Sequence, residues 1–170
     1  MKRAVSLILA AVLLSSCVAC ARETNFPEDV TCEMIMEAAQ STHNPPEAEK
    51  VYTKAKDNFD AYSMSLWAYG IYEEFEELEL LSDYAVYLSA GATTYEIAVL
   101  KADKKDNVQD LVDLIEQRKK TLALGDKGMY DPAFETRMKN AVVIQSGLFV
   151  IFLVTDNNSD VIKEIEKLKE

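Results

Sequence analysis

Apolar and polar residues along this chain recur with two different periods, and the switches between them mark the elements. Val30, Met34, Ile35 and Ala38 share the spacing of one helical face behind Asp29 as a capping residue. They predict a helix that runs to about Gln40 and ends before Asn44-Pro45-Pro46. The stretch from Glu47 to Asp60 is mostly polar with weak periodicity and reads as loop. Between Phe59 and Phe75 aromatic residues crowd together, and Gly70 restricts a helix there to the residues before it. Tyr84 to Leu88 and Thr94 to Leu100 are rich in β-branched and aromatic residues, with Ser89-Ala90-Gly91-Ala92 between them, and predict a β-hairpin. Helical spacing returns with Val108, Leu111, Val112, Ile115 and Leu122, behind Asn107 as a cap with Asp110 three positions on; Gly125 closes that helix. Asp131-Pro132 opens a short helix that carries Phe134 and Met138. A second hairpin pairs Ala141–Ile144 with Leu148–Thr155 through Gln145-Ser146-Gly147. From about Asp160 a last amphipathic helix buries Val161, Ile162, Ile165 and Leu168. The order hairpin, helices, hairpin, helix predicts a single α+β domain: one antiparallel sheet built from two β-hairpins, with helices packed on one face.

The amino terminus carries a different pattern. Lys2 and Arg3 precede an apolar run from Ala4 to Leu14 broken only by Ser6. That run is too short for a span of about 20 residues and reads as an export signal. It ends in Leu14-Ser15-Ser16-Cys17, a lipobox, so Cys17 is the expected site of acylation and residues 1–16 the expected signal peptide. Cys20 is the alternative acylation site, and cleavage after Ala19 or Ala21 without acylation is the other possibility. Residues 17–28 then form a lipidated tether, and 29–170 a single folded domain. The expected location is the outer face of the cytoplasmic membrane, held there by the lipid.

Charge narrows the partners. Removing residues 1–16 takes Lys2 and Arg3 away, and the net charge moves from −11 to about −13. Such a chain repels phosphate backbones and anionic head groups, which argues against nucleic acid as a partner and leaves membrane attachment to the lipid. With Cys17 and Cys20 in the tether, Cys32 is the one cysteine of the domain; no internal disulfide framework forms, and Cys32 reads as a small buried apolar residue. The hydrophobic fraction of 49% is enough for a core without such staples.

Little in the chain points to catalysis. His43 is the single histidine and sits just before two prolines, in what reads as an exposed loop. There is no Gly-x-Ser-x-Gly elbow, no paired cysteine and histidine signature, and none of the tightly spaced ligands of a zinc site. The five glycines form no phosphate cradle. Glu73 to Glu79 is dense in carboxylates but lacks the alternation and glycine of a calcium loop, so it reads as a solvated acidic face. No metal, no cofactor and no catalytic residue is expected. Trp67, Tyr69 and Tyr72 could instead line a pocket for a ligand, with Arg118 as a charged contact, although core packing is the simpler role for such aromatics. Arg118 follows Leu111 by seven residues and Ile115 by three, which puts it on the apolar side of its helix, where it needs a partner. Glu96 suits that role as a structural ion pair, because in a strand where Ile97 and Val99 share one face it points to the other.

Taken together, the lipobox, the acidic linker, Tyr95-Glu96-Ile97-Ala98-Val99-Leu100-Lys101-Ala102, the helix with Arg118, Asn140-Ala141-Val142-Val143 and Gly147-Leu148-Phe149-Val150 resemble the domain of unknown function 4358 family, small lipoproteins of Gram-positive bacteria. The resemblance spans roughly residues 28–168. It implies an exported, membrane-anchored domain and implies no activity. The expected function is therefore a non-catalytic binding or interaction domain at the cell envelope, with an unknown protein or envelope component as partner. The alternatives are a solute-binding or sensory lipoprotein with an aromatic-lined pocket and, as a minor reading, an envelope hydrolase.

Overall fold

The computed structural model describes residues 25–71 and 76–170. The expected signal peptide, Cys17, Cys20 and Tyr72 lie outside the described residues, as do Glu73 and Glu74 of the acidic stretch. Five strands form one antiparallel sheet: β1 (Ala48–Thr53), β2 (Leu81–Ser89), β3 (Glu96–Ala102), β4 (Val142–Ser146) and β5 (Phe149–Val154), in the order β1-β2-β3-β5-β4. The hairpins β2–β3 and β4–β5 join where β3 pairs with β5, and the whole is a single α+β domain.

The helices cover both faces of the sheet, not the single face expected. Here α1 (Cys32–Gln40) and α6 (Asn158–Glu166) pack over Tyr87, Ile97, Val99, Ile151 and Leu153. On the other face α2 (Ala61–Tyr69) and α3 (Val108–Leu124) pack over Val86, Ala98, Leu100, Val150 and Phe152. The cause lies in the central strands. Both parities of β3 and β5 are apolar, so each strand has a hydrophobic surface on either side, and both must be shielded from water. Two short helices, α4 (Lys127–Tyr130) and α5 (Phe134–Lys139), connect α3 to β4.

β1 is the strand that polar composition concealed, in a stretch expected to be loop. It pairs only with β2, so one edge meets solvent and Glu49 and Lys50 are exposed, while Tyr52 and Thr53 are buried. Its outer edge is closed locally by Asn58. The side-chain amide donates to the Val51 carbonyl at 2.9 Å and accepts from the Thr53 N–H at 3.1 Å, taking the place of a neighbouring strand.

Capping fixes the helix positions. Thr31, and not Asp29, caps α1, accepting from the Met34 N–H; Asp83 at the start of β2 adds a second acceptor for the Cys32 N–H at 2.8 Å. Asp60 caps α2 through the Ser63 N–H at 2.7 Å, and Gly70 ends that helix at φ 75°, a conformation costly for any residue with a Cβ. Asn107 sits at the start of α3, but its side chain donates to Asp103 and makes no cap bond. Phe26, expected in the tether, is buried edge-on against Phe149 at 5.3 Å, so the ordered fold begins before residue 29. Chain entry is therefore at the end of the sheet formed by the β4–β5 turn, where Asn25 touches Gly147. Because α3 runs antiparallel to β3, its last turn and the β2–β3 turn lie at the opposite end. Among the described residues no helix is long and apolar enough to cross a membrane.

Candidate functional site

Glu96 opens β3 with its side chain on the same face as Ala98 and Leu100, under α2 and α3. It is a carboxylate at 2% exposure, and three donors meet it. Arg118, one helical turn beyond Ile115 on α3, places Nε 3.0 and 3.1 Å from its two oxygens and Nη2 2.5 Å from Oε2. Trp67 of α2 donates its indole N–H to Oε1 at 2.8 Å. The guanidinium also donates through Nη1 to the Trp67 carbonyl at 3.0 Å and lies over the indole at 5.8 Å. Thr121, one turn further along α3, donates to the Ala68 carbonyl at 2.7 Å. The result ties strand, α2 and α3 together through a forked, charge-assisted pair whose members have side-chain exposures of 13% and 2%.

Beside this network a groove of about 180 Å³ opens between β1 and α2, lined by Lys50, Tyr52, Ser63, Trp67 and Arg118 among others. Trp67 and Arg118 thus share one site. Tyr69 does not join them: it lines a separate, wider cleft of about 440 Å³ with Leu80, Asp110 and Asp113. Tyr72 falls outside the described residues. Trp67 is itself a core residue, packed edge-on to Phe59 at 5.7 Å.

A second charged network gave no sign in the sequence beyond a helix cap. Asp131 is buried and accepts from the Thr94 N–H (2.8 Å), the Thr94 hydroxyl (2.5 Å) and Arg137 Nη1 (2.8 Å), while its other oxygen takes the Ala133 N–H (2.9 Å). Arg137 in turn reaches Asp156 and the Thr93 hydroxyl, each at 2.8 Å. Burial alone would raise the Asp131 pKa, but the Thr94 donors, the Ala133 N–H and Arg137 outweigh it and hold the carboxyl below its ordinary value. This cluster ties the β2–β3 turn to α5 and the β5–α6 corner.

Other candidates take structural places. His43, expected on an exposed loop, is half-buried, edge-on to Tyr95 at 5.5 Å, with its Nδ1 against the Thr42 hydroxyl at 2.5 Å. Tyr95 is buried, and burial, reinforced by Tyr87 and Asp156, pushes its phenol well above the ordinary value. Cys32 is a buried free thiol, held protonated chiefly by burial and secondarily by the adjacent Asp83 carboxylate. Among the described residues no three His, Cys, Asp or Glu side chains stand together as a metal-binding group.

The most unusual surface is apolar. Leu124, Met129 and Tyr130, the end of α3 and of α4, are 87, 78 and 70% exposed. They fall within seven residues of one another, at the end of the sheet opposite chain entry. The sequence signal for them was only negative: they follow the last core residue of the helix, Leu122, and fit no period.

These features define a small α+β domain whose buried charges tie its own elements together and whose three most exposed large apolar side chains, among the described residues, lie within one seven-residue stretch. The family model described as domain of unknown function (DUF4358) matches residues 68–155, from the end of α2 to just past β5, and the chain belongs to that family. No curated protein and no solved structure matches it.

Proposed function

We propose that this is an exported, lipid-anchored and non-catalytic interaction domain of the cell envelope, acylated at Cys17, that contacts a protein or other envelope component through its far end. The exposed trio Leu124, Met129 and Tyr130 carries the reading, since three large apolar side chains left in water within seven residues of a strongly acidic chain are what a binding surface supplies. The tether supports it. The eight steps from Cys17 to Asn25 reach at most about 28 Å, and α3 separates chain entry from the trio by roughly 25 Å. A domain anchored at Cys17 is held by its entry end, with the trio at the end away from the anchor.

Metabolic labelling with a fatty-acid analogue tests the anchor. Cys17→Ala should lose the label and be shed or left as precursor, whereas Cys20→Ala should keep it; label persisting in Cys17→Ala removes the assignment. Replacing Leu124, Met129 and Tyr130 by serine tests the surface. Exposed changes of this kind shift stability by only about 0.5 kcal/mol, so a folded triple variant that keeps every cross-linked complex of the parent in intact cells would rule the surface out.

A solute-binding role rests on the groove holding Trp67 and Arg118. It is the weaker reading, because the indole N–H and most of the guanidinium are committed to Glu96 and the Trp67 carbonyl, and Tyr69 faces elsewhere.

A further inference from the structure

The two edges of the sheet are built differently. β1 carries exposed Glu49 and Lys50, and Asn58 occupies its outer edge at Val51 and Thr53. β4 has neither device. Its residues Val142, Val143 and Ile144 are apolar and half-buried, Val143 against the α2–α3 core and Ile144 against the α1–α6 core. An edge strand apolar on both faces has the composition of an interior strand. No charged residue occurs from Asn140 to Thr155.

The ladder shows which groups face outward. The Ala102 N–H bonds the Leu148 carbonyl, so the even-numbered residues of β5 bond β3 and the odd-numbered ones, Phe149, Ile151 and Leu153, bond Ser146, Ile144 and Val142. Val143 and Gln145 are left with their N–H and C=O groups directed away from the sheet. No described side chain or loop bonds them.

We infer that this edge is a strand-addition surface and that its occupant is β4 of a second copy of the chain. An antiparallel pair about a two-fold axis sets Val143 opposite Gln145 of the second copy, each exchanging both backbone bonds, and Ile144 opposite itself on the axis. The uncharged edge permits this self-match, since no like charges are brought together. Both cores become continuous across the axis. Five residues a side bury less than the roughly 800 Å² per partner of a standard stable interface, so the dimer is concentration-dependent.

Gln145→Pro removes an outward N–H and leaves the β4–β5 ladder intact, which makes it an edge-specific probe. Sedimentation equilibrium of the full chain in detergent micelles should show the parent rising toward twice the chain mass with concentration, and Gln145→Pro remaining at one. Val143→Lys, which places two like charges one residue to either side of the axis, should lower dimer content at least about tenfold if the pair exchange is as described. In intact cells, a photo-crosslinker at Gln145 should yield a species of twice the chain mass, and one at Lys50 should not. A parent that stays monomeric and gives no such species, or a folded Gln145→Pro that dimerises as the parent does, overturns the inference; the latter would move the contact to another surface such as the Leu124 trio.

Discussion

Removing Arg118 strands a carboxylate. In Arg118→Ala, Glu96 loses the Nε and Nη2 donors and keeps only the Trp67 indole N–H, at a position 2% exposed. Breaking a buried pair from one side costs about 3–5 kcal/mol, against under ~1 kcal/mol for an exposed one. For a domain of this size each kcal/mol moves Tm by about 2–4 °C, so the midpoint should fall by roughly 6–20 °C. Glu96→Ala strands the guanidinium instead, less severely, because Arg118 retains the Trp67 carbonyl and some solvent contact. The double variant removes both charges and should be little worse than either single one. Thermal and urea denaturation of the four proteins give the cycle, and the coupling should exceed about 2 kcal/mol. Trp67→Phe leaves the pair and deletes one donor, at a cost of about 1–2 kcal/mol. Small, additive losses with Tm within a few degrees of the parent would mean that the network does not hold the sheet to α2 and α3, and would free Arg118 to serve the groove.

The Asp131 carboxyl is held below its ordinary pKa in the folded state, so its contribution is present above the unfolded value near about 3.9 and fades as pH falls through the folded value. Asp131→Asn should cost roughly 1–3 kcal/mol near neutrality, and a stability–pH profile should show the gap closing in acid; a constant gap would refute the assignment. Ile151→Asp and Phe152→Asp enter opposite faces of β5 and should both unfold the domain, by circular dichroism, since each buries an unpaired charge and total stability is only about 5–15 kcal/mol. A folded protein from either one would mean that its face is not core. Gly70→Ala adds a Cβ at φ 75°, 3.3 Å from the Thr121 methyl, and should lower stability by about 1 kcal/mol in urea titration; a gain would place the strain elsewhere.

Much of this architecture is visible in the sequence, for reasons that residues make plain. Hairpins announce themselves by runs of β-branched and aromatic residues around a turn, as in Thr94–Leu100, and amphipathic helices by a dominant period, as in the stripe from Val108 to Leu122. The Glu96–Arg118 contact is readable from strand parity and helix spacing, because both partners sit in regular elements. Helices on both faces were also signalled, since Ile97 to Leu100 and Phe149 to Val154 do not alternate, but an unbroken run does not say which helix goes where. β1 escaped because a solvent-exposed edge strand is allowed to be polar. The Asp131 network escaped because it joins a turn, a cap and a strand end, where no period operates and only the folded chain brings Thr94, Asp131, Arg137 and Asp156 together.

Asn58 matters for what happens beyond a single chain. A sheet that joins its copy across β4 still has two outer ends, both of them β1, and a strand end that accepts another strand can pass the reaction on without limit. One side-chain amide, bonded to Val51 and Thr53, blocks that edge where a further strand would pair. It works as a chain terminator does in polymer chemistry, capping growth at a closed species. Without it, the chain would hold the ingredients of a fibre: one edge that initiates and another that propagates.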